Sequence, residues 1–223
     1  MLLRHGAVIA EGWWAPHSPS VRHQLYSLSK SFTSAAIGWT IEEGIVKLDD
    51  PVTGFFPEKL PADLPEAFRR MTVRHLLTMS SGHADCVMPQ LRNPPDKDYV
   101  RAFFSTELAY EPGTRFAYNS AASYMLSAIV SKVTGMSLVE YLKPRLLDPL
   151  GIEDPFWETC PAGINLGGWG FYLTTEEIAR FGQLLLNKGQ WQGKQLIPKD
   201  YLEMATAWQI DNSMFFGLFG FGI

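Results

Sequence analysis

Residues Tyr26-Ser27-Leu28-Ser29-Lys30-Ser31-Phe32-Thr33 open a segment in which Phe32, Ala35, Ala36, Trp39 and Ile41 recur at spacings mostly of three or four, with Gly44 placed to end it. This period predicts a helix from Ser27 to about Glu43. Ser27 and Lys30, at i and i+3, then face the same side one turn apart at the helix start. The positive end of the helix dipole favours a developing alkoxide there. An ammonium beside the hydroxyl favours the same charge, so the serine becomes easier to deprotonate and can act as a nucleophile. Ser-x-x-Lys also arises about once by chance in a chain of this length, and the bland reading is a helix N-terminus with an exposed lysine.

Working outward, the N-terminal side reads as a β-hairpin, with Leu2 and Leu3 on one strand, a turn at Arg4-His5-Gly6, and Ala7 to Ala10 returning. Its apolar stretch is too short, and too interrupted, for a signal peptide. Beyond the first helix, Pro51, Pro57, Pro61 and Pro65 enforce turns, and Thr72 caps a short helix through Leu77. Residues 83–98 are polar and proline-bearing, a surface loop suited to rim a cleft. Tyr99 to Leu108 is helical in period, and Ala121, Tyr124, Met125, Ala128, Ile129 and Val133 form an amphipathic stripe closed by Gly135. Ser137 with Glu140 makes a capping box for the next helix. Thr174-Thr175 cap another that carries Ile178, Phe181, Leu184 and Leu185, and Pro198 begins a last helix reaching Ala207. The closing aromatic and glycine-rich run, Met214 to Ile223, reads as a buried strand that needs partners for its backbone. Both ends are expected to be cut, with further strands following. The pattern is α+β: an antiparallel sheet flanked by helices, plus a mostly helical region. Residues 1–45 and 155–223 are expected to form the sheet-and-helix part and 46–154 the helical part, together one compact unit.

The chain has 223 residues, 46% of them hydrophobic and 19% charged, enough to bury a sizeable core without staples. With 19 basic and 23 acidic residues the formal charge is −4, and no Lys/Arg run offers a footprint for nucleic acid. No stretch approaches the roughly 18 apolar residues of a membrane span. Two cysteines, Cys86 and Cys160, define neither a disulfide framework nor a metal site.

A second chemical signal is Glu111-Pro112-Gly113-Thr114-Arg115-Phe116-Ala117-Tyr118-Asn119-Ser120, which sets a tyrosine in a turn just before the amphipathic helix. A tyrosine near ammonium groups can act as a general base; alternatively it covers a helix end. Together with this segment, Ser27 to Thr33 resembles the nucleophile box of the class C β-lactamase and serine-esterase family, which is related to the penicillin-binding DD-peptidases. Val73 to Gly82, Pro112 to Tyr118, Leu150-Gly151-Ile152, and Gly167-Gly168-Trp169-Gly170 followed by Ala179 to Gln183 resemble that family in the same order.

The resemblance implies that Ser27 is the acylated nucleophile, Lys30 its proton-handling partner and Tyr118 the general base of a Tyr-x-Asn box. The third position of that box is Ser120 here, with Asn119 in the middle. Ser120 keeps a hydroxyl to orient Lys30 or bind substrate but lacks the reach of a carboxamide, which argues for an esterase or amidase over an efficient β-lactamase. The implied reaction is acyl transfer through a Ser27 ester and hydrolysis of a small ester, amide or β-lactam, with no metal or organic cofactor. The family's third box, Lys-Thr-Gly or a His-x-Gly variant, has no counterpart after Trp208, and with it goes one expected oxyanion-hole donor. The competing expectation is a non-catalytic, penicillin-binding-like or peptidoglycan-sensing module that keeps the fold. His5, His17, His23, His75 and His83 read as surface or capping residues, and a Ser27–His23 dyad is disfavoured by geometry across a strand-to-helix bend. Trp13, Trp14 and Trp169 are candidates for the cleft wall, and Gly167-Gly168 reads as a turn or a close backbone approach.

Overall fold

The computed structural model describes residues 1–92, 96–212 and 217–221. Strands β1 (Leu2–Arg4) and β2 (Ala7–Ala10) form the expected hairpin, and β3 (His23–Gln24) leads through a single 3₁₀ turn, Tyr26–Leu28, into helix α1 (Ser29–Glu42). Short helices follow: α2 (Val52–Phe55), α3 (Glu66–Arg70), α4 (Val73–Leu77), α5 (Met88–Leu91) and α6 (Tyr99–Phe104). Next come α7 (Ser120–Thr134) and α8 (Leu138–Leu142), then β4 (Phe156–Trp157), β5 (Phe171–Leu173), α9 (Thr175–Leu186), β6 (Gln190–Trp191) and β7 (Lys194–Gln195). Helix α10 (Lys199–Thr206) and the pair β8 (Ile210–Asn212) and β9 (Gly217–Phe219) close the order. The fold is α+β, as expected. Among the described residues its strands form four small antiparallel sheets, of which β3-β5-β4 joins the N-terminal part of the chain to the C-terminal part. The expected strand at Met214 to Ile223 lies partly outside the described residues. Within it, β9 finds its partner in β8, and Phe221 is buried.

The helix capping follows the sequence closely. Glu140 and Ser137 bond reciprocally at the start of α8, as do Glu177 and Thr174 at the start of α9. Gly44 and Gly135 take positive φ just past α1 and α7 and close those helices.

Helix α1 differs from the expected single apolar stripe, because every residue from Ser29 to Thr40 is buried. A helix buried all round is a core element, and this one is made so by its small polar residues finding partners. Thr33 Oγ1 donates to the Gly167 carbonyl at 2.7 Å, Thr40 Oγ1 to the Ile37 carbonyl at 2.8 Å, and Ser34 Oγ shares a 2.8 Å bond with the Tyr201 hydroxyl. Phe32 stacks on Phe181 of α9 at 3.9 Å and meets Phe171 of β5 edge-on at 5.0 Å. Burial of each such ring is worth about 1.5–3 kcal/mol. At the far end of α1, Glu43 accepts from the Tyr141 hydroxyl at 2.9 Å and from Arg145 at 2.8 Å, while Arg145 lies over the Tyr141 ring. The helix that carries Lys30 is therefore gripped along its whole length.

His83 corrects the surface reading of its loop. It is 1% exposed, its Nδ1 shares a hydrogen bond with Ser81 and its Nε2 with Thr106, and its ring packs near Phe68 and Phe103. The loop's polar composition hid this anchor.

Two predictions follow from this packing. Burial lowers the His83 pKa from 6.5 to about 4. The unfolded chain therefore takes up a proton between about pH 6.5 and 4 that the native ring refuses, and stability falls as pH drops through that window, by up to about 3 kcal/mol. Urea midpoints measured from pH 7 to 4 should show this loss, and His83→Gln should flatten the slope above pH 5. Second, a Cβ at Gly38 would lie 2.5 Å from the buried Tyr201 ring. Gly38→Ala should destabilise by about 1 kcal/mol or more, because overpacking outweighs the helix-propensity gain. Thermal unfolding of that variant checks it.

Candidate active site

Lys30 sits in the first turn of α1 and is 4% exposed, so the bland reading of a solvent-facing lysine does not hold. Its Nζ lies 3.1 Å from Ser27 Oγ, 3.1 Å from Ser120 Oγ and 2.7 Å from the carbonyl oxygen of Gly168. It also stands over the Tyr118 ring, 4.9 Å from the centroid, where a cation is attracted by the ring face. Burial lowers the Lys30 pKa to about 8, because it disfavours the charged form; the nearby Cys86 thiol acts in the opposite direction. An amine poised between its two forms near neutral pH is suited to proton transfer.

Each partner is placed by a local feature of the chain. Ser27 lies in the 3₁₀ turn before α1 and is exposed, so its hydroxyl meets solvent while its neighbour's amine does not. The preceding residue, Tyr26, has φ of 47°. A non-glycine residue in that region is strained by about 1–3 kcal/mol, and such strain clusters at active sites. Ser120 is the first residue of α7, and the N-cap Asn119 is fully buried. Asn119 Oδ1 accepts from the backbone N–H groups of Ala121 at 3.0 Å and Val87 at 3.3 Å. Its carboxamide oxygen is thus spent on the helix cap and the adjacent loop, and Ser120 is the residue of this pair that meets Lys30.

The Gly167-Gly168 doublet supplies a contact that residue types alone did not predict. Gly167 has φ of 66°, and a Cβ there would lie 2.5 Å from the Ser123 carbonyl oxygen. At Gly168 a Cβ would stand 3.1 Å from the Ser120 carbonyl oxygen and 3.5 Å from Lys30 Nζ. Only side-chain-free residues let this strand of backbone run between α1 and α7 and present a carbonyl to the lysine. The doublet itself was the available signal.

Of these groups Ser27, Ser120 and Gly168 line a cleft of about 810 Å³, whereas Lys30 and Tyr118 lie behind that lining. Tyr26, Met88 and Trp169 contribute its apolar wall, and Gln24, Arg92 and Glu158 its polar edge. Cys86 also lines it, so the loop after His83 does rim the cleft. Of the tryptophans singled out from the sequence, Trp169 reaches the cleft, whereas Trp13 and Trp14 do not line it and Trp14 is 79% exposed. His23 pairs through β3 and contacts the His17 ring at 4.8 Å, and it is not among the groups around Ser27. Cys86 and Glu158 had no sequence signal, because their place in the cleft depends on long-range packing.

Among the described residues no single helix is long and apolar enough to cross a membrane. A 6-aminohexanoate-dimer hydrolase from Paenarthrobacter ureafaciens is 28% identical over 220 residues, covering 93% of this chain and 56% of the relative. A lovastatin esterase from Penicillium rubens is 31% identical over 153 residues, covering 58% of this chain and 38% of the relative. The structure of an octameric penicillin-binding protein homologue from Pyrococcus abyssi has the same fold, with a TM-score of 0.73, 24% identity, and coverage of 92% of this chain and 53% of that one. The chain thus spans little more than half the length of the first of these relatives. A family profile described as Beta-lactamase matches residues 1–222, and with the ordered segments from Ser27 to Gln183 this establishes that the chain belongs to the beta-lactamase family.

Proposed function

We propose that this chain acts as a serine hydrolase that cleaves a small ester, amide or β-lactam, the first two in preference, through a Ser27 acyl-enzyme. The observation that supports this most is the position of Lys30 Nζ between Ser27, Ser120 and the Gly168 carbonyl. The Gly168 oxygen can only accept, so it takes one N–H of the amine, and Ser120 Oγ takes a second. The lone pair of the neutral amine is then left for the Ser27 hydroxyl proton.

In acylation, Ser27 Oγ attacks the substrate carbonyl as its proton passes to Lys30, and the C–O bond forms. The tetrahedral intermediate collapses with loss of the alcohol or amine, which takes the proton from the Lys30 ammonium. The Ser27 N–H, at the N-terminal turn before α1, serves as one donor to the oxyanion. In deacylation water attacks the ester carbonyl and gives its proton to Tyr118, which acts as general base in its deprotonated form. The intermediate then collapses, the Ser27 C–O bond breaks, the acid leaves, and Ser27 Oγ takes that proton back from Tyr118. The Tyr118 ring face stabilises the Lys30 ammonium while it holds the proton. No step requires a metal or an organic cofactor. Hydrolase relatives that include an esterase support this class of reaction.

In the full protein, Ser27→Ala should lower hydrolysis of a chromogenic short-chain ester by about 10³-fold or more and abolish stoichiometric labelling by a fluorescent phosphonate. An unlabelled wild-type protein would instead favour the non-catalytic binding module. Neutral Lys30 is the reactive form, so kcat/KM should rise with pH through about 8 and then level off. A profile flat from pH 6.5 to 9 would remove Lys30 as the base.

A further inference from the structure

Glu158 follows β4 and reaches the cleft along the backbone of Gly170, whose φ of 82° leaves no room for a side chain, since a Cβ there would lie 2.9 Å from Glu158 Cβ. Two neutral donors fix the carboxylate: Gln24 Nε2 at 3.1 Å and the Tyr172 hydroxyl at 2.8 Å, both on Oε1. Gln24 and Tyr172 face each other across the β3–β5 pair, so the grip comes from the sheet itself. Among the described residues Oε2 receives no hydrogen bond, and no Lys or Arg nitrogen lies within 4 Å of the carboxylate. The cation that lines the same cleft, Arg92, and the nearby Lys30 have other partners. Arg92 lies over the Trp169 ring at 4.8 Å, and Lys30 is held by Ser27, Ser120 and Gly168. Glu158 is therefore a preorganised carboxylate in the cleft that holds the serine, with one open oxygen and no Lys or Arg counter-ion among the described residues. Gln24, one of its two supports, stands three residues before Ser27, at most about 11 Å of chain.

We propose that Glu158 is a specificity-determining residue that binds an ammonium group of the substrate, so that the hydrolase selects amine-bearing esters or amides over neutral ones. This rests on the serine-hydrolase reading and narrows its substrate class. A substrate ammonium would supply the missing counter-ion as a charge-assisted hydrogen bond to Oε2, while its ester or amide carbonyl lies at Ser27. Because the carboxylate is already oriented, little ordering is lost on binding.

The test compares isosteric chromogenic substrates in the full protein, one pair differing by ammonium against methyl in the acyl part and a second pair differing likewise in the leaving group. The wild type should favour the ammonium member of at least one pair by about tenfold or more in kcat/KM, mainly through KM, and less at high salt. Glu158→Gln, which keeps the size and the contacts with Tyr172 and Gln24, should erase that preference and leave the neutral substrates' turnover unchanged. Equal rates within both pairs, or a preference that survives in Glu158→Gln, would overturn the proposal. So would an equal fall for charged and neutral substrates, which would make Glu158 a support of the β3–β5–β4 corner and nothing more. Failure of the hydrolase reading looks different: neither member of either pair would be turned over in a Ser27-dependent way.

Discussion

A primary amine buried to 4% exposure, with oxygens of three different segments around it, is the constraint on which the rest of this structure depends. Burying an ammonium group is costly unless it is hydrogen-bonded, and the cost emerges as a lowered pKa. The chain meets that cost by converging on Lys30 from the turn before α1, from the start of α7 and from the Gly167-Gly168 loop. Each convergence has its own structural support. Tyr26 holds a strained backbone before Ser27, Asn119 caps α7 so that Ser120 can face inward, and two glycines let a backbone carbonyl approach where a Cβ would collide.

The same constraint explains why α1 is buried all round. A helix that presented Lys30 from the surface would leave the amine solvated, with an ordinary pKa and no reason to take a proton from serine. Packing by Phe171 and Phe181, closure by Tyr201 over Gly38, and the Glu43–Arg145–Tyr141 clamp place the start of the helix in the interior. Ser27, one turn earlier, remains exposed to the cleft. Stability and chemistry thus use the same helix, and it is the change from buried to open within four residues that makes a nucleophile beside a dry base.

Much of this was legible in the residues. The Ser27/Lys30 spacing, Tyr118 before an amphipathic helix, the caps at Ser137 and Thr174 and the glycine stops are local features, and local features can be read from one strand of sequence. What could not be read depends on long-range packing. His83 looked like part of a polar loop because its partners, Ser81 and Thr106, and the rings around it are brought in by the fold. The burial of α1 was hidden because serines and threonines count as polar until their hydrogen bonds to Gly167 and Tyr201 are known. Glu158 and Cys86 carried no pattern at all, since nothing in their neighbours' spacing announces a cleft.

The central claim is that Lys30 is desolvated enough to exchange its proton near neutral pH, and it can be read directly by following lysine side-chain NMR signals through a pH titration, with Lys30→Arg assigning the resonance. The account predicts a lysine signal, lost in Lys30→Arg, that titrates near pH 8. A Lys30 signal with no transition near pH 8 would contradict it.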